Sequence, residues 1–457
     1  MPAEAIRYLA PLAWIDGKWA CDVLLVVGEE GRWSGVTPDA PVQLRSGAQL
    51  LAGPVLPGLV NAHSHAFQRA IAGLTESSAA GQDDFWRWRD RMYSAANRIT
   101  PAQLEAIAAW LYAELLAAGY TEVCEFQYLH DDVAGKPDAD ASGMSMALAR
   151  AAQRVGIGLT LLPTLYMRSG FGAAGLRPDQ QRFASTPDSV LRIGEAVDRL
   201  QDPLLHSGVA VHSLRAVEPV ALREVAAAAR GRIPVHLHIA EQQQEVQDCL
   251  AHHGRRPVEW LLEHVALDAR WNLVHATHTT PVEQAGLQAS GASIVICPST
   301  EANLGDGVFD LAGWLGRKGS WSIGSDSNVT RSWQEELRLL EYSQRLALRQ
   351  RNVAARAGQR ESTSAVLFEG ALAGGCAAAG RPLGGLRVGQ RADFMVVDRS
   401  APALLGVPDA QLLDALVFST PHAGMLEVHV AGLPVRSPAA RPDLAQAMRA
   451  AMRELWR

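Results

Sequence analysis

Eight short apolar segments alternate with helical stretches through the middle of this 457-residue chain. They fall at 55–60, 121–128, 157–166, 208–214, 233–239, 271–276, 292–297 and 321–324. Helical patterns at 101–118, 187–200, 218–230, 257–266 and 332–350 lie between or after them. Strand and helix in regular alternation predict a parallel sheet with crossover helices. Eight repeats match a (β/α)8 TIM barrel, although a doubly wound sheet shares the alternation. The clearest helix runs over 101–118 and reads as amphipathic, with Thr100 as N-cap, Pro101 at its first position and Gly119 just past its end.

The ends have a different character. Residues 1–57 read as short strands broken by turn signals, among them the hairpin step Asp16-Gly17. After an alanine-rich helical segment, 362–380, strand and turn patterns return before a final helix. The expected organisation is a barrel over 58–384 and a small composite β-sandwich built from 1–57 and 385–457. The polar, Gly- and Pro-containing stretch 168–190 reads as a surface loop over one barrel mouth.

Composition narrows the function. A net charge of −6 gives no basis for binding nucleic acid or an anionic membrane. No stretch approaches the roughly 18 apolar residues of a membrane span, and no leader is visible, so a cytoplasmic location is expected. The five cysteines are scattered, with no CxxC pair to suggest thiolate zinc or a disulfide framework.

Histidines at strand ends carry the chemistry. His63 and His65 close the first segment at i, i+2, a spacing that places both on one face of a strand. His236 and His238 repeat that spacing in the fifth segment, and either reads as a further ligand. His212 lies in the fourth segment, His275 ends the sixth and Asp326 follows the eighth. Barrel enzymes assemble their sites at such ends. The remaining histidines (His130, His206, His252, His253, His264, His278, His422 and His429) fall in helices, loops or the terminal β region and read as structural or solvated.

The run Pro57-Gly58-Leu59-Val60-Asn61-Ala62-His63-Ser64-His65 resembles the first-strand signature of the amidohydrolase superfamily. His238, His275 and Asp326 follow in that family's order, and Gly389-Gln390-Arg391-Ala392-Asp393-Phe394 resembles its return to the β domain. The spacing His238-x-x-Glu241 is similar to the deaminase branch, which favours His238 over His236. The resemblance implies metal ligation by His63, His65, His238 and Asp326. It also implies proton transfer by Glu241 and Asp326, with His275 stabilising charge. Binuclear members carry a bridging lysine after a middle strand. Here the fourth strand has none, and Lys18, Lys136 and Lys318 lie elsewhere. One Zn2+ per subunit is therefore expected, with Fe2+ or Mn2+ not excluded by the nitrogen and carboxylate ligands.

Two arginine-bearing segments suggest the substrate class. Phe85-Trp86-Arg87-Trp88-Arg89 and His212-Ser213-Leu214-Arg215 bring guanidinium groups towards the mouth, and arginine forks suit carboxylates. The pattern is similar to the branch that hydrolyses N-formimino-L-glutamate in histidine degradation. It implies substrate contacts from Gln68, Arg89, Tyr128, His212 and Arg215, with Arg87 and Arg91 as alternatives to Arg89. The expected partner is a small dicarboxylate, and a homodimer is compatible with the family. Guanine- or adenosine-type deamination and imidazolonepropionase chemistry are the competing readings.

Overall fold

The computed structural model describes residues 5–76, 85–131, 142–229, 231, 233–420 and 424–457, with only the backbone described at 85–87. His422 and Lys136 lie outside these residues. Eight parallel strands form the central barrel: Leu59–Ser64, Tyr120–Gln127, Gly158–Leu165, Val209–Val211, Val235–Ile239, Trp271–His275, Ser293–Ile296 and Trp321–Ile323. Their near-continuous burial is expected of strands covered by helices outside and packed side chains inside. A short strand, Leu205–Ser207, adds to the third.

The seam between the eighth and first strands is closed by a parallel bridge at Ser64 and Asp326. His65 N–H donates to the Asp326 carbonyl at 3.0 Å, and Asp326 N–H donates to the His63 carbonyl at 2.9 Å. Gly324 allows this approach, because a Cβ there would lie 2.6 Å from His63 Cβ and 2.8 Å from its backbone nitrogen and oxygen. Beneath the bridge, Asn61 binds Ser325 through both its amide nitrogen and oxygen, and Ser325 Oγ donates to Asn328.

Sequence patterning placed one strand over 55–60, but two are present. Val55–Pro57 pairs with Ala13 and with Phe394–Val396 in the terminal sheet, whereas Leu59–Ser64 begins the barrel. The break is Gly58, where a Cβ would meet the Thr121 side chain at 2.5 Å. An apolar run gives no periodic signal for such a change of sheet. Eight strands from both termini form this second sheet, with its own core around Tyr8, Leu25, Trp33 and Phe394. Asp16 and Gly17 make the expected hairpin, both at positive φ. His429 stacks on Phe394 at 4.1 Å between ring centroids, a structural role.

The return motif has a mechanical role. Arg391 is buried, donating to Asp393 through two nitrogens and to Glu122 Oε2 at 2.8 Å. Burial alone would lower its pKa, but Asp393 and Glu122 together raise it. This ion cluster joins the terminal sheet to the base of the second barrel strand.

Two further expectations change. Helix Pro101–Ala118 has its Thr100 capping box and Gly119 at φ 101°, but its buried side is broad, with nine of its 18 residues buried. Helix Pro442–Leu455 packs on it. The 168–190 stretch is not simply a surface loop: it contains the 3-10 turn Pro178–Phe183, in which Gln180, Arg182 and Phe183 are buried.

A buried carboxyl braces the seventh-strand loop. Glu336, on helix Trp333–Leu348, accepts from Ser299 N at 2.9 Å and Ser299 Oγ at 2.6 Å. Burial pushes its pKa from 4.5 to about 8 despite those hydrogen bonds. The folded state thus holds a proton that the unfolded chain releases near pH 4.5, so this group lowers stability as pH rises towards 8. Glu336→Gln, which preserves one acceptor and one donor for Ser299, should flatten the decline of Tm between pH 5 and 8. Gly324→Ala should destabilise the fold by about 1–3 kcal/mol through overpacking at the seam, measurable by denaturant unfolding.

Candidate active site

Three imidazoles converge at the barrel mouth. His63 and His65 come from the first strand and the residue after it, and His238 comes from the fifth strand. One ring nitrogen from each lies within 4.8 Å of the others. His65 Nδ1 faces the Phe126 carbonyl at 2.9 Å, and His238 Nδ1 faces the His212 carbonyl at 3.0 Å. A carbonyl only accepts, so both Nδ1 atoms carry the proton and both Nε2 atoms turn a lone pair inward. His63 Nε2 and His238 Nε2 approach to 3.0 Å.

Burial keeps these rings neutral. It lowers the His63 pKa to about 3, outweighing the opposing effect of Asp326, and lowers His65 and His238 as well. Lone pairs from His65 and His238, meeting His63 Nε2 in one buried pocket, fit a cation better than a hydrogen-bond network. Asp326 completes the set: Oδ1 lies 3.6 Å from His63 Nε2 and 3.4 Å from His65 Nε2. Burial would raise its pKa, but the bond to His63 and the surrounding histidines hold it below the usual carboxylate range. These residues form a candidate metal-binding group.

His236 is not part of it. Its Nε2 lies 2.9 Å from the Ala378 carbonyl, deeper in the barrel.

Glu241 and His275 face the same space. His275 Nε2 lies 3.7 Å from Glu241 Oε1 and 3.6 Å from Asp326 Oδ2. Burial raises the Glu241 pKa to about 7, with His275 opposing, so this carboxyl can hold or release a proton near neutrality. Ala240, His275, Ala276 and Asp326 all occupy positive φ, between 47° and 68°. Four non-glycine residues in that region at three strand ends mark backbone strain concentrated at the site.

The cavity above this cluster is lined by Gln68, Arg89, Tyr128, His212 and Arg215, together with His65, His238, Glu241, His275 and Asp326. His212 follows the fourth strand, Val209–Val211, rather than lying within it. Gln68 Nε2 lies 3.1 Å from Tyr128 Oη. Arg91, one alternative to Arg89, instead donates to the Thr75 carbonyl at 2.6 Å, and the Arg87 side chain lies outside the described residues.

Several groups carried no signal in the sequence. Glu301 Oε1 lies 3.3 Å from His275 Nδ1 and also accepts from Cys297 N at 2.9 Å. Asp306 is close enough to Glu241 and His275 to share an ion with them. Tyr93, Tyr166, Trp88, Met92 and Leu304 complete the cavity wall. None of these positions has a diagnostic spacing from its partner, so only the folded chain brings them together.

Residues 55–435 match the model of the amidohydrolase family. The formimidoylglutamate deiminase of Pseudomonas aeruginosa is 47% identical over 427 residues, covering 93% of each chain. A crystal structure of an amidohydrolase from Brucella melitensis superposes with a TM-score of 0.92 at 40% identity, covering 99% of this chain and 100% of that one. An adenosine deaminase from Xanthomonas campestris with bound zinc shares the fold, with a TM-score of 0.78 at 23% identity and 98% coverage of both chains. With the family pattern spanning barrel and terminal sheet, this chain belongs to the amidohydrolase family and is a hydrolytic enzyme.

Proposed function

We propose that the chain hydrolyses the formimino C=N bond of N-formimino-L-glutamate, giving N-formyl-L-glutamate and ammonia. The observation that carries this reading is the cavity itself, where two guanidinium groups, Arg89 and Arg215, open onto the same space as Glu241, His275 and Asp326. A flat neutral base can accept hydrogen bonds from such groups but carries no charge to balance two cations, whereas a diacid does. The 47% identity to a formimidoylglutamate deiminase supports the same choice. A step in histidine degradation, in the cytoplasm, accompanies it.

One Zn2+ held by His63, His65, His238 and Asp326 fits the neutral, inward-facing nitrogens. When bound, such an ion lowers the pKa of water and supplies Lewis acidity. The chain's own groups do the rest. Asp326, ionised and beside the histidines, accepts a proton from the attacking water. His275, positioned between Glu241 and Asp326, stabilises charge as water adds to the formimino carbon. From the protonated amidine, the adduct's terminal nitrogen takes a proton from Glu241, the hydroxyl proton passes to the Glu241 carboxylate, and ammonia leaves as the C–N bond breaks and the formyl carbonyl forms. Arg89, Arg215, Gln68, Tyr128 and His212 hold the glutamate portion, orienting the carbon for attack.

Purified enzyme should release ammonia from N-formimino-L-glutamate and none from guanine, as followed by a coupled ammonia assay. Formation of N-formyl-L-glutamate identifies the bond cleaved and separates this reaction from ring opening of an imidazolone. Glu241→Gln should lower kcat by at least about 100-fold, the order expected for a general acid, while metal content measured by elemental analysis stays at the wild-type level. Near-normal turnover in that variant would remove Glu241 from the mechanism.

A further inference from the structure

Beyond the residues assigned above, the outer wall of the cavity contains a pair of phenols whose hydrogen bonding is fixed from outside. Tyr93 lies on helix Phe85–Ala96, Tyr166 follows the third strand, and both are buried. Gln180, from the 3-10 turn Pro178–Phe183, lies behind them and is fully buried. Its Nε2 is 3.1 Å from each hydroxyl oxygen.

The orientation of that amide is determined by the backbone. Gln180 Oε1 accepts the Arg177 N–H at 3.1 Å, and an inverted amide would set donor against donor there. Both Nε2 hydrogens therefore point at the phenols, and each phenol oxygen acts as an acceptor. The hydrogen of each hydroxyl must then go elsewhere. The two oxygens are 3.4 Å apart, a weak contact that can take up at most one of the two. The nearby cations, Arg89 and Arg177 against the Tyr93 ring and Arg215 beside Tyr166, have no acceptors to offer. Arg177 is already paired with Asp179, and Arg215 lies 3.9 Å from Glu245, so the shortfall is in the phenols: among the described residues, at least one of their two hydrogens has no acceptor. A phenol donor beside the guanidinium groups of Arg89 and Arg215 suits a ligand that accepts hydrogen bonds and carries negative charge.

We infer that Tyr93 and Tyr166, set by Gln180, donate hydrogen bonds to one carboxylate of the substrate and so select a diacid. This deepens the proposed function and rests on it for the identity of the ligand. Tyr93 and Tyr166 determine specificity, and Gln180 is a positioning residue. Through Gln180, the 168–190 segment contributes to recognition without touching the ligand.

Calorimetric titration of the metal-loaded enzyme tests this without turnover. Three probes serve: N-formyl-L-glutamate, N-formyl-4-aminobutyrate without the α-carboxylate, and N-formyl-L-2-aminobutyrate without the side-chain carboxylate. Tyr93→Phe and Tyr166→Phe keep ring volume and should raise the Kd of N-formyl-L-glutamate about tenfold or more, the scale of a hydrogen bond to a charged group. The same variants should leave one truncated probe unaffected, the one lacking the carboxylate that the phenols hold. Gln180→Met should follow the same selective pattern with a smaller loss.

A drop of equal size for all three probes would make the tyrosines structural and overturn the inference, as would no change for any probe. Ammonia release by the wild type is scored separately. Tyrosine-dependent, carboxylate-selective binding without ammonia from N-formimino-L-glutamate would overturn the reaction and retain the carboxylate subsite. A wild type that releases no ammonia and binds none of the three probes overturns both.

Discussion

The structure depends on one short contact, the meeting of the first and eighth barrel strands at Ser64 and Asp326. Elsewhere around the barrel, neighbouring strands share ladders of hydrogen bonds. Here two backbone bonds and one glycine bring the sheet round on itself. The residues that make this closure are also those whose side chains form the metal-binding group, with His63 and His65 on one strand and Asp326 beyond the other. Closing the barrel and assembling the site are therefore one structural event. The Asn61–Ser325–Asn328 network holds the contact from below, and Asn328 Nδ2 also donates to the His65 carbonyl at 3.1 Å.

The site then divides by polarity. At its base, burial keeps three imidazoles neutral, and backbone carbonyls fix two of their tautomers. Towards the mouth, arginines and phenols present hydrogen-bond donors. Between the two, Glu241 holds its proton near neutral pH because burial disfavours its charge. One cavity thus places a lone-pair-rich floor beneath a donor-rich wall, with a proton carrier where they meet. That gradient suits an elongated molecule, electrophilic at one end and anionic at the other.

How much of this the sequence revealed depended on whether a residue's role leaves a local mark. His63 and His65 could be recognised because strand geometry converts an i, i+2 spacing into a shared face. Glu241 was recognisable by its spacing from His238. His236 shares the i, i+2 pattern but not that spacing, and the Ala378 carbonyl, 142 positions away, is where its ring nitrogen goes. Glu301, Asp306 and Gln180 left no mark, because each acts through a partner distant along the chain or through an irregular turn. The split at Gly58 was hidden for a related reason: both halves of the run are buried, so neither alternation nor helical periodicity marks the change of sheet. The packing of helix Pro442–Leu455 on helix Pro101–Ala118 was likewise unmarked.

Gly58 also bears on how the two sheets are joined. The chain leaves the terminal sheet at Pro57 and enters the barrel at Leu59, while Gly58 N–H donates to the Asp393 carbonyl at 3.1 Å. One residue is too short for a hinge, and the Arg391–Glu122 pair fixes the same junction from the side. Barrel and terminal sheet are therefore tied together at this junction by a backbone hydrogen bond and a buried ion pair. Unfolding of either sheet removes support from the other.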